Sequence, residues 1–355
     1  MSKVLMKGNE AIAEAAIRCG CRAFFGYPIT PQSEIPEYMS VRMPEVGGVF
    51  LQAESELAGI NMVGGAAGAG VRTMTSTSGP GYALMQEAMS NFSAVGVPFV
   101  VVNMMRGGPG SGGILVNQGD YFQATRGGGN GDYRVLVLAP YNVQEACDLI
   151  QEAFDLADEF RLPAILLGDA MIGQMMETVE IKDVVRENRD ISWATTGWDR
   201  KSRPRNVLFS LNATNEENEA RILGIEERFH KAAERARIDT YRAEDAEVIL
   251  VAYGTSARVS SAAVDTLREC GIRAGLVRPI FLSPFPVERI REAVIKPDVK
   301  AVVAVEMSRG MMVDDVRLAL NGEKPVYLCN RVGSFVPMPD EIADFVKQIL
   351  SKEVR

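Results

Sequence analysis

The 355 residues carry a formal charge of -8, from 38 Lys and Arg against 46 Asp and Glu, with no basic block longer than a few residues, which argues against nucleic acid as a main ligand. At 47 % hydrophobic residues the chain can fill more than one ordinary core, so two domains are predicted, and its longest apolar runs, such as 97–105 with Pro98 inside, fall far short of a membrane span. Cys19, Cys21, Cys147, Cys270 and Cys329 are five in number without Cys-x-x-Cys spacing, and the first residues lack the apolar stretch of a secretory signal, so a reducing cytoplasm is the expected setting and any iron-sulfur cluster is expected on another chain. Short apolar runs then alternate with helix-like periods, the pattern of a parallel sheet covered on both faces. Ala23 to Gly26 reads as a strand, with Thr30 as the following helix N-cap and Pro31 at the first helical position. Val49 to Leu51 is a second strand, followed by a helix from about Ser55 to Ala69, and Arg72 to Ser76 is a third strand running into Gly79-Pro80-Gly81 and a helix rich in Ala and Met. Strands at Phe99 to Met104, Val135 to Leu138 and Ala164 to Leu167 continue the pattern, with a helix from about Val143 to Phe160 between the last two.

From about Glu180 to Glu244 the charge rises and the periodicity breaks at Arg200-Lys201-Ser202-Arg203-Pro204-Arg205, which reads as a connector. Within it, Thr214 with Glu217 three residues on forms a capping box that opens a charged helix to about Ile238. A second α/β unit follows, with strands at Val248 to Ala252, Arg273 to Val277 and Ala301 to Glu306 and helices at about Ala257 to Cys270, Pro286 to Val294 and Asp314 to Leu320. The expected division is therefore 1–180, 181–244 and 245–355.

Ligands of open parallel sheets gather at the carboxyl ends of strands, which directs attention to four segments: Tyr27 to Ser33, Glu54 to Glu56, Ser76 to Gly81 and Arg106 to Gly113. Thr30 is either a plain cap or a hydroxyl donor lining a pocket. Glu56 is either a first-turn acid favoured by the helix dipole or a carboxylate in a small, apolar setting where desolvation is costly. Gly64, eight residues beyond Glu56, belongs to a run of small residues that lets another chain or a flat cofactor come close. Arg106 beside bare glycine backbone suits a clamp on a carboxylate, or else marks a flexible loop tip. Gly127 to Asp132 is a mobile cover or a tight turn. No Gly-x-Gly-x-x-Gly or Walker pattern opens a helix after a strand, and His230 sits on the charged helix facing solvent, which weakens any Ser-His hydrolase reading.

Tyr27-Pro28-Ile29-Thr30-Pro31, Gln52-Ala53-Glu54-Ser55-Glu56, Ser76-Thr77-Ser78-Gly79-Pro80-Gly81 and Val102 to Pro109 together resemble the α-type subunit of 2-oxoacid:ferredoxin oxidoreductases. Within that family the chain looks most like the branch acting on 3-methyl-2-oxobutanoate (2-ketoisovalerate), with the 2-oxoglutarate branch as near neighbour. The resemblance implies a doubly wound, pyrimidine-type thiamine diphosphate domain followed by a transketolase C-terminal-like domain, and a coenzyme lying between two chains. It implies that Glu56, protonated, hydrogen-bonds the pyrimidine ring, with Tyr27, Pro28, Ile29, Ser78, Gly79 and Pro80 also at the cofactor, and that Arg106 holds and Thr30 orients the substrate carboxylate. Glu54 competes for the role of Glu56, and the spacing to Gly64 favours Glu56. A β-type partner would bring the diphosphate and Mg2+, because Gly168-Asp169-Ala170 lacks the second glycine and downstream Asn of the diphosphate motif; Asp169 then reads as structural. Partner chains of γ/δ or ferredoxin-like type would carry the [4Fe-4S] clusters and meet ferredoxin, and coenzyme A would take the acyl group. A ferredoxin-independent transketolase-like enzyme and a non-catalytic scaffold are the rival readings.

Overall fold

A computed structural model describes residues 3–184 and 189–353, so residues 185–188 of the expected connector and the outermost residues of the two flanking regions lie outside the described residues. The chain begins with β1 (Val4–Lys7) and α1 (Gly8–Arg18), then alternates through β2 (Ala23–Gly26), α2 (Glu34–Glu45), β3 (Val49–Gln52), α3 (Glu56–Gly68), β4 (Thr73–Thr77), α4 (Pro80–Leu84), α5 (Gln86–Val95) and β5 (Val100–Met105). After α6 (Tyr121–Arg126) come β6 (Leu136–Leu138), α7 (Val143–Phe160), β7 (Ala164–Asp169), α8 (Ala170–Gln174) and β8 (Met176–Val179). Helix α9 (Asn215–Ala233) leads to β9 (Ile238–Tyr241), β10 (Val248–Val251), α10 (Gly254–Glu269), β11 (Ala274–Pro279), β12 (Phe281–Ser283), α11 (Val287–Val294), β13 (Ala301–Glu306), α12 (Met312–Leu320), β14 (Val326–Asn330) and α13 (Pro339–Glu353).

The larger sheet has seven strands in the order β12-β6-β7-β5-β4-β2-β3, parallel except where β12 runs against β6. Strand alternation explains its two cores: Val100, Val102 and Met104 face one cluster with Ile12, Phe24, Met39 and Phe154, while Val101 and Met105 face another with Ile60, Met89 and Ile165. The second cluster also takes in Ile249, Val251, Val277 and Val302 from the smaller sheet, so the two units share one apolar layer. That smaller sheet has the order β14-β13-β10-β11-β9, with only β9 antiparallel, and its far face packs on α10 and α13 through Leu250, Leu267, Ile342 and Val346.

Buried polar groups join the units. Asp169, at the end of β7, accepts from the Thr255 N–H (2.9 Å) and hydroxyl (2.6 Å) and from the Ile172 N–H (3.2 Å). Gln118 donates to the Tyr253 carbonyl and accepts from the Ser256 hydroxyl and the Met307 N–H, each at 2.9 Å. Arg278 is 3 % exposed and makes a bidentate pair with Glu145 at 2.8 Å. Such groups tolerate burial only when satisfied, so they fix the mutual placement of the units more than they add to stability.

Four local expectations change. Thr30 is not a helix cap: it stands in a turn in which the Gln32 N–H reaches the Ile29 carbonyl (3.2 Å), and α2 begins only after Ser33. The Ala- and Met-rich helix is two pieces, α4 and α5, meeting at Met85. The charged helix opens at Thr214 as the capping box requires, with Oγ1 accepting from the Glu217 N–H (3.2 Å), but it stops at Ala233 because Ile238 already pairs in a strand with Pro279. Gly64 admits neither cofactor nor partner, since a Cβ there would lie 1.9 Å from the Phe92 ring of this same chain.

Candidate functional site

The Ser55 side chain caps α3 by accepting from the Ala58 N–H (3.2 Å), and this places Glu56 as the first helical residue, turned inward and 5 % exposed. Glu54, two residues earlier, is exposed. The Glu56 carboxylate meets α4: a Cβ on Gly81 would lie 2.3 Å from Glu56 Oε1 and 2.4 Å from Thr77 Oγ1. Gly81 is thus glycine because the acid occupies the space a side chain would need. The preceding turn is sharp, with Gly79 at φ +43°, a conformation that favours glycine. Around it lie buried oxygen atoms without hydrogen-bond partners: Thr75 Oγ1, Thr77 Oγ1, Ser78 Oγ and Asn103 Oδ1. Buried polar atoms are normally paired, so a cluster of orphans at the end of two adjacent strands marks a place prepared for a ligand.

A second group of residues gathers at Arg106. Its Nη1 donates to the Thr30 carbonyl (2.8 Å), its Nη2 to the Ser111 carbonyl (3.2 Å), and its buried Nε has no partner. Arg106 makes no salt bridge to a described residue, which leaves its charge available. The glycine loop beyond it is closed, since the Gly113 N–H bonds the Gly107 carbonyl (2.9 Å) and Gly107 N–H bonds the Leu115 carbonyl (3.0 Å). The Tyr27–Glu34 loop is tied down equally well. Asn9 and Gln174 both donate to the Pro31 carbonyl (2.8 and 3.0 Å) and to Glu34 Oε2 (2.8 and 2.9 Å), and Gln32 donates to the Tyr27 carbonyl (3.3 Å) and accepts from the Ser76 hydroxyl. Tyr27, Pro28 and Thr30 are exposed on the rim and Ile29 is half-buried. The Ser78-Gly79-Pro80 turn bridges the two groups, for the Gly79 backbone packs on Arg106 on one side and Gly81 meets Glu56 on the other.

Two clefts open near this group, and Arg106 lines only the second. One, about 720 Å³, runs from Thr30 past Ile114, Leu115, Val116, Met171 and Val336 and is mainly apolar. The other, about 570 Å³, is lined by Gly79, Arg106, Asp120, Ser308 and Arg309 and lies between the two units. Glu56 lines neither. Asp120 has no local sequence signal: burial holds its carboxyl above the ordinary range, although the Asn103 amide (3.0 Å), the Gly79 N–H and the Arg106 charge pull the other way. Gly127 to Asp132 is a packed turn rather than a cover, with the Gly128 and Gly129 N–H groups donating to the Tyr133 hydroxyl (2.9 and 3.1 Å) and Ser90 bonded to Asn130 (3.0 Å). His230 is 72 % exposed, as expected for the charged helix.

Residues 14–246 match the family described as pyruvate flavodoxin/ferredoxin oxidoreductase, thiamine diphosphate-binding, and residues 246–342 match pyruvate:ferredoxin oxidoreductase core domain II. The chain belongs to the 2-oxoacid:ferredoxin oxidoreductase family. It is 45 % identical to the ketoisovalerate oxidoreductase subunit VorB of Methanothermobacter marburgensis over 98 % of this chain and 97 % of that one. It is 38 % identical to the 2-oxoglutarate synthase subunit KorA of Archaeoglobus fulgidus over 89 % and 91 % of the two chains. In fold it is similar to the solved 2-oxoglutarate:ferredoxin oxidoreductase of Magnetococcus marinus, with a TM-score of 0.86 at 24 % identity, covering 98 % of this chain and 65 % of that longer one.

The residues fit an oxidoreductase subunit that binds thiamine diphosphate. A buried acid accepting no hydrogen bond from a described residue, with the orphan Thr77 hydroxyl meeting the same face of Gly81, offers polar partners to the edge of a heteroaromatic ring. Among the described residues no helix is long and apolar enough to cross a membrane.

Proposed function

We propose that this chain is the pyrimidine-holding subunit of a ketoisovalerate:ferredoxin oxidoreductase, which converts 3-methyl-2-oxobutanoate and coenzyme A to an acyl-CoA and carbon dioxide while reducing ferredoxin. The observation that carries it is Glu56, buried against Gly81 where the unpartnered Thr77 hydroxyl also meets that glycine. Glu56 would hold the aminopyrimidine, with the Ser78-Gly79-Pro80 turn and Tyr27, Pro28 and Ile29 around the coenzyme. Bound thiamine diphosphate supplies the electron sink for decarboxylation. Arg106, free of any described carboxylate partner, would hold the substrate carboxylate in bidentate fashion, and the Arg106–Thr30 bond sets Thr30 beside it.

The apolar cleft beginning at Thr30 supports a branched aliphatic side chain. None of its described lining residues is Lys or Arg, and a 2-oxoglutarate side chain would set a second carboxylate there near Glu34. The diphosphate, its Mg2+ and the [4Fe-4S] clusters belong in this reading to β-type and γ/δ or ferredoxin-like partners. Supporting that placement, Asp169 is fully buried and already engaged by Thr255 and Ile172.

The test is coexpression with the partner chains and viologen reduction by each 2-oxoacid. Glu56→Gln is expected to lower turnover by about 10² to 10⁴, the range for losing a positioned proton-transfer group, with Glu54→Gln near wild type. The reverse pattern would move the role to Glu54, and a preference for 2-oxoglutarate would overturn the substrate reading.

A further inference from the structure

Asp120 lines the cleft between the two units together with Arg106, and it is held rather than loose. The Asn103 amide, on the strand β5 that also leads to Arg106, donates to it at 3.0 Å, and the Gly79 N–H faces it. The Asn103 amide, the Gly79 N–H and the Arg106 charge favour its ionised form, against the burial that on balance raises its carboxyl. Yet it does not pair with Arg106. The guanidinium spends two of its nitrogens on the Thr30 and Ser111 carbonyls, and no described carboxylate comes within salt-bridge range. The geometry is that of an acid and an unpaired arginine lining the same cleft.

We infer that Asp120 is a positioning residue that sets how strongly Arg106 grips a carboxylate, its fixed charge weakening the clamp so that the 2-oxoacid and competing anions exchange readily. An arginine in a half-buried site with no counter-charge holds any carboxylate tightly, and a nearby acid offsets part of that attraction without occupying the anion's place. The inference rests on the reading of Arg106 as the substrate clamp.

Asp120→Asn removes the charge and keeps the shape. The unpartnered Asn103 Oδ1 lets the Asn103 amide turn over and accept from the new amide, so both neighbours stay bonded. In the assembled enzyme, KM for 3-methyl-2-oxobutanoate is expected to fall about three- to tenfold with kcat within about twofold, the size expected for removing one partly screened charge several ångströms from the clamp. Inhibition by 3-methylbutanoate, a carboxylate that cannot react, should strengthen by the same factor, and both effects should shrink at high salt. A merely structural role predicts the opposite sign. Unchanged or raised KM and inhibition constants would overturn the inference. Should Asp120→Asn fail to assemble, Asp120→Ser, smaller and hydroxyl-bearing, is read by the same criteria. Arg106→Ala measured in parallel separates the two readings. If it leaves KM unchanged, the clamp itself is wrong; if it raises KM while the Asp120 variants do not lower it, only the present inference fails.

Discussion

Replacing Gly81 by alanine tests the central contact with one methyl group. The added Cβ would sit 2.3 Å from Glu56 Oε1 and 2.4 Å from Thr77 Oγ1, whereas an ordinary carbon to oxygen contact is about 3.3 Å, so the acid or the turn must move by about 1 Å. A displacement of that size at a reacting group can cost about 10² in rate. Overpacking costs about 1–3 kcal/mol, and alanine's better helix propensity returns up to about 1 kcal/mol, so the net loss of stability is about 0–2 kcal/mol and the variant remains folded. The assay is viologen reduction by the assembled complex, with thermal unfolding of the same preparation as control. The reasoning requires turnover to drop about 100-fold while the unfolding temperature falls by only a few degrees. A folded Gly81→Ala enzyme turning over within about twofold of wild type would show that the close approach of Glu56 to α4 has no catalytic meaning.

Gly65, by contrast, has nothing within 4 Å of a Cβ position on the exposed side of α3, so Gly65→Ala should raise the stability of the isolated chain by up to about 1 kcal/mol, read as a shift in denaturant midpoint. Glu14 gives a pH prediction. Burial opposes its ionisation, but hydrogen bonds from Arg18, Arg42 and Tyr38 outweigh this and hold its carboxyl below the ordinary 4.5. A lowered folded value means the contribution is fully present above that ordinary value and is lost as pH falls through the folded one. Unfolding midpoints measured across this acid range should fall for the wild type, and Glu14→Gln should start lower at neutral pH and fall less.

What the sequence made legible follows from how each element signals itself. Helix α7 is legible through its apolar face, while the Asn142 cap and the left-handed turn at Arg161 that fix its ends come from the structure. Strands β2 and β3 were legible as short apolar runs, although Val49 and Leu51 are exposed at the sheet's edge. Helix α1 is buried at Asn9 and from Ala11 through Ile17, yet its Glu10, Glu14 and Arg18 fall four residues apart on one face, a helical rhythm that is present in the sequence. The ribbon of β1 and β8 is short and only partly buried and lacks the unbroken apolar runs of the central strands, whereas the edge strand β14 carries such a run, Val326 to Cys329, that is open to reading. At the site, the motif segments announced themselves locally. The meeting of Glu56 with Gly81, and of Arg106 with the Thr30 carbonyl, comes from strand order β5-β4-β2-β3, which places distant segments at one end of the sheet. Asp120, Asn9 and Gln174 carried no local signal because their meaning lies entirely in partners far along the chain.

The strand β12 belongs by sequence to the second half of the chain but hydrogen-bonds to β6 of the first, Phe281 opposite Leu138. A gene cut at the boundary near residue 246 would therefore yield a front fragment whose last β-ladder ends in an unsatisfied, wholly apolar Leu-Val-Leu template, an invitation to pair with a neighbouring molecule. Fragment complementation should succeed only when the severed piece retains this borrowed trio of residues. The polypeptide is therefore divisible by homology but not by folding.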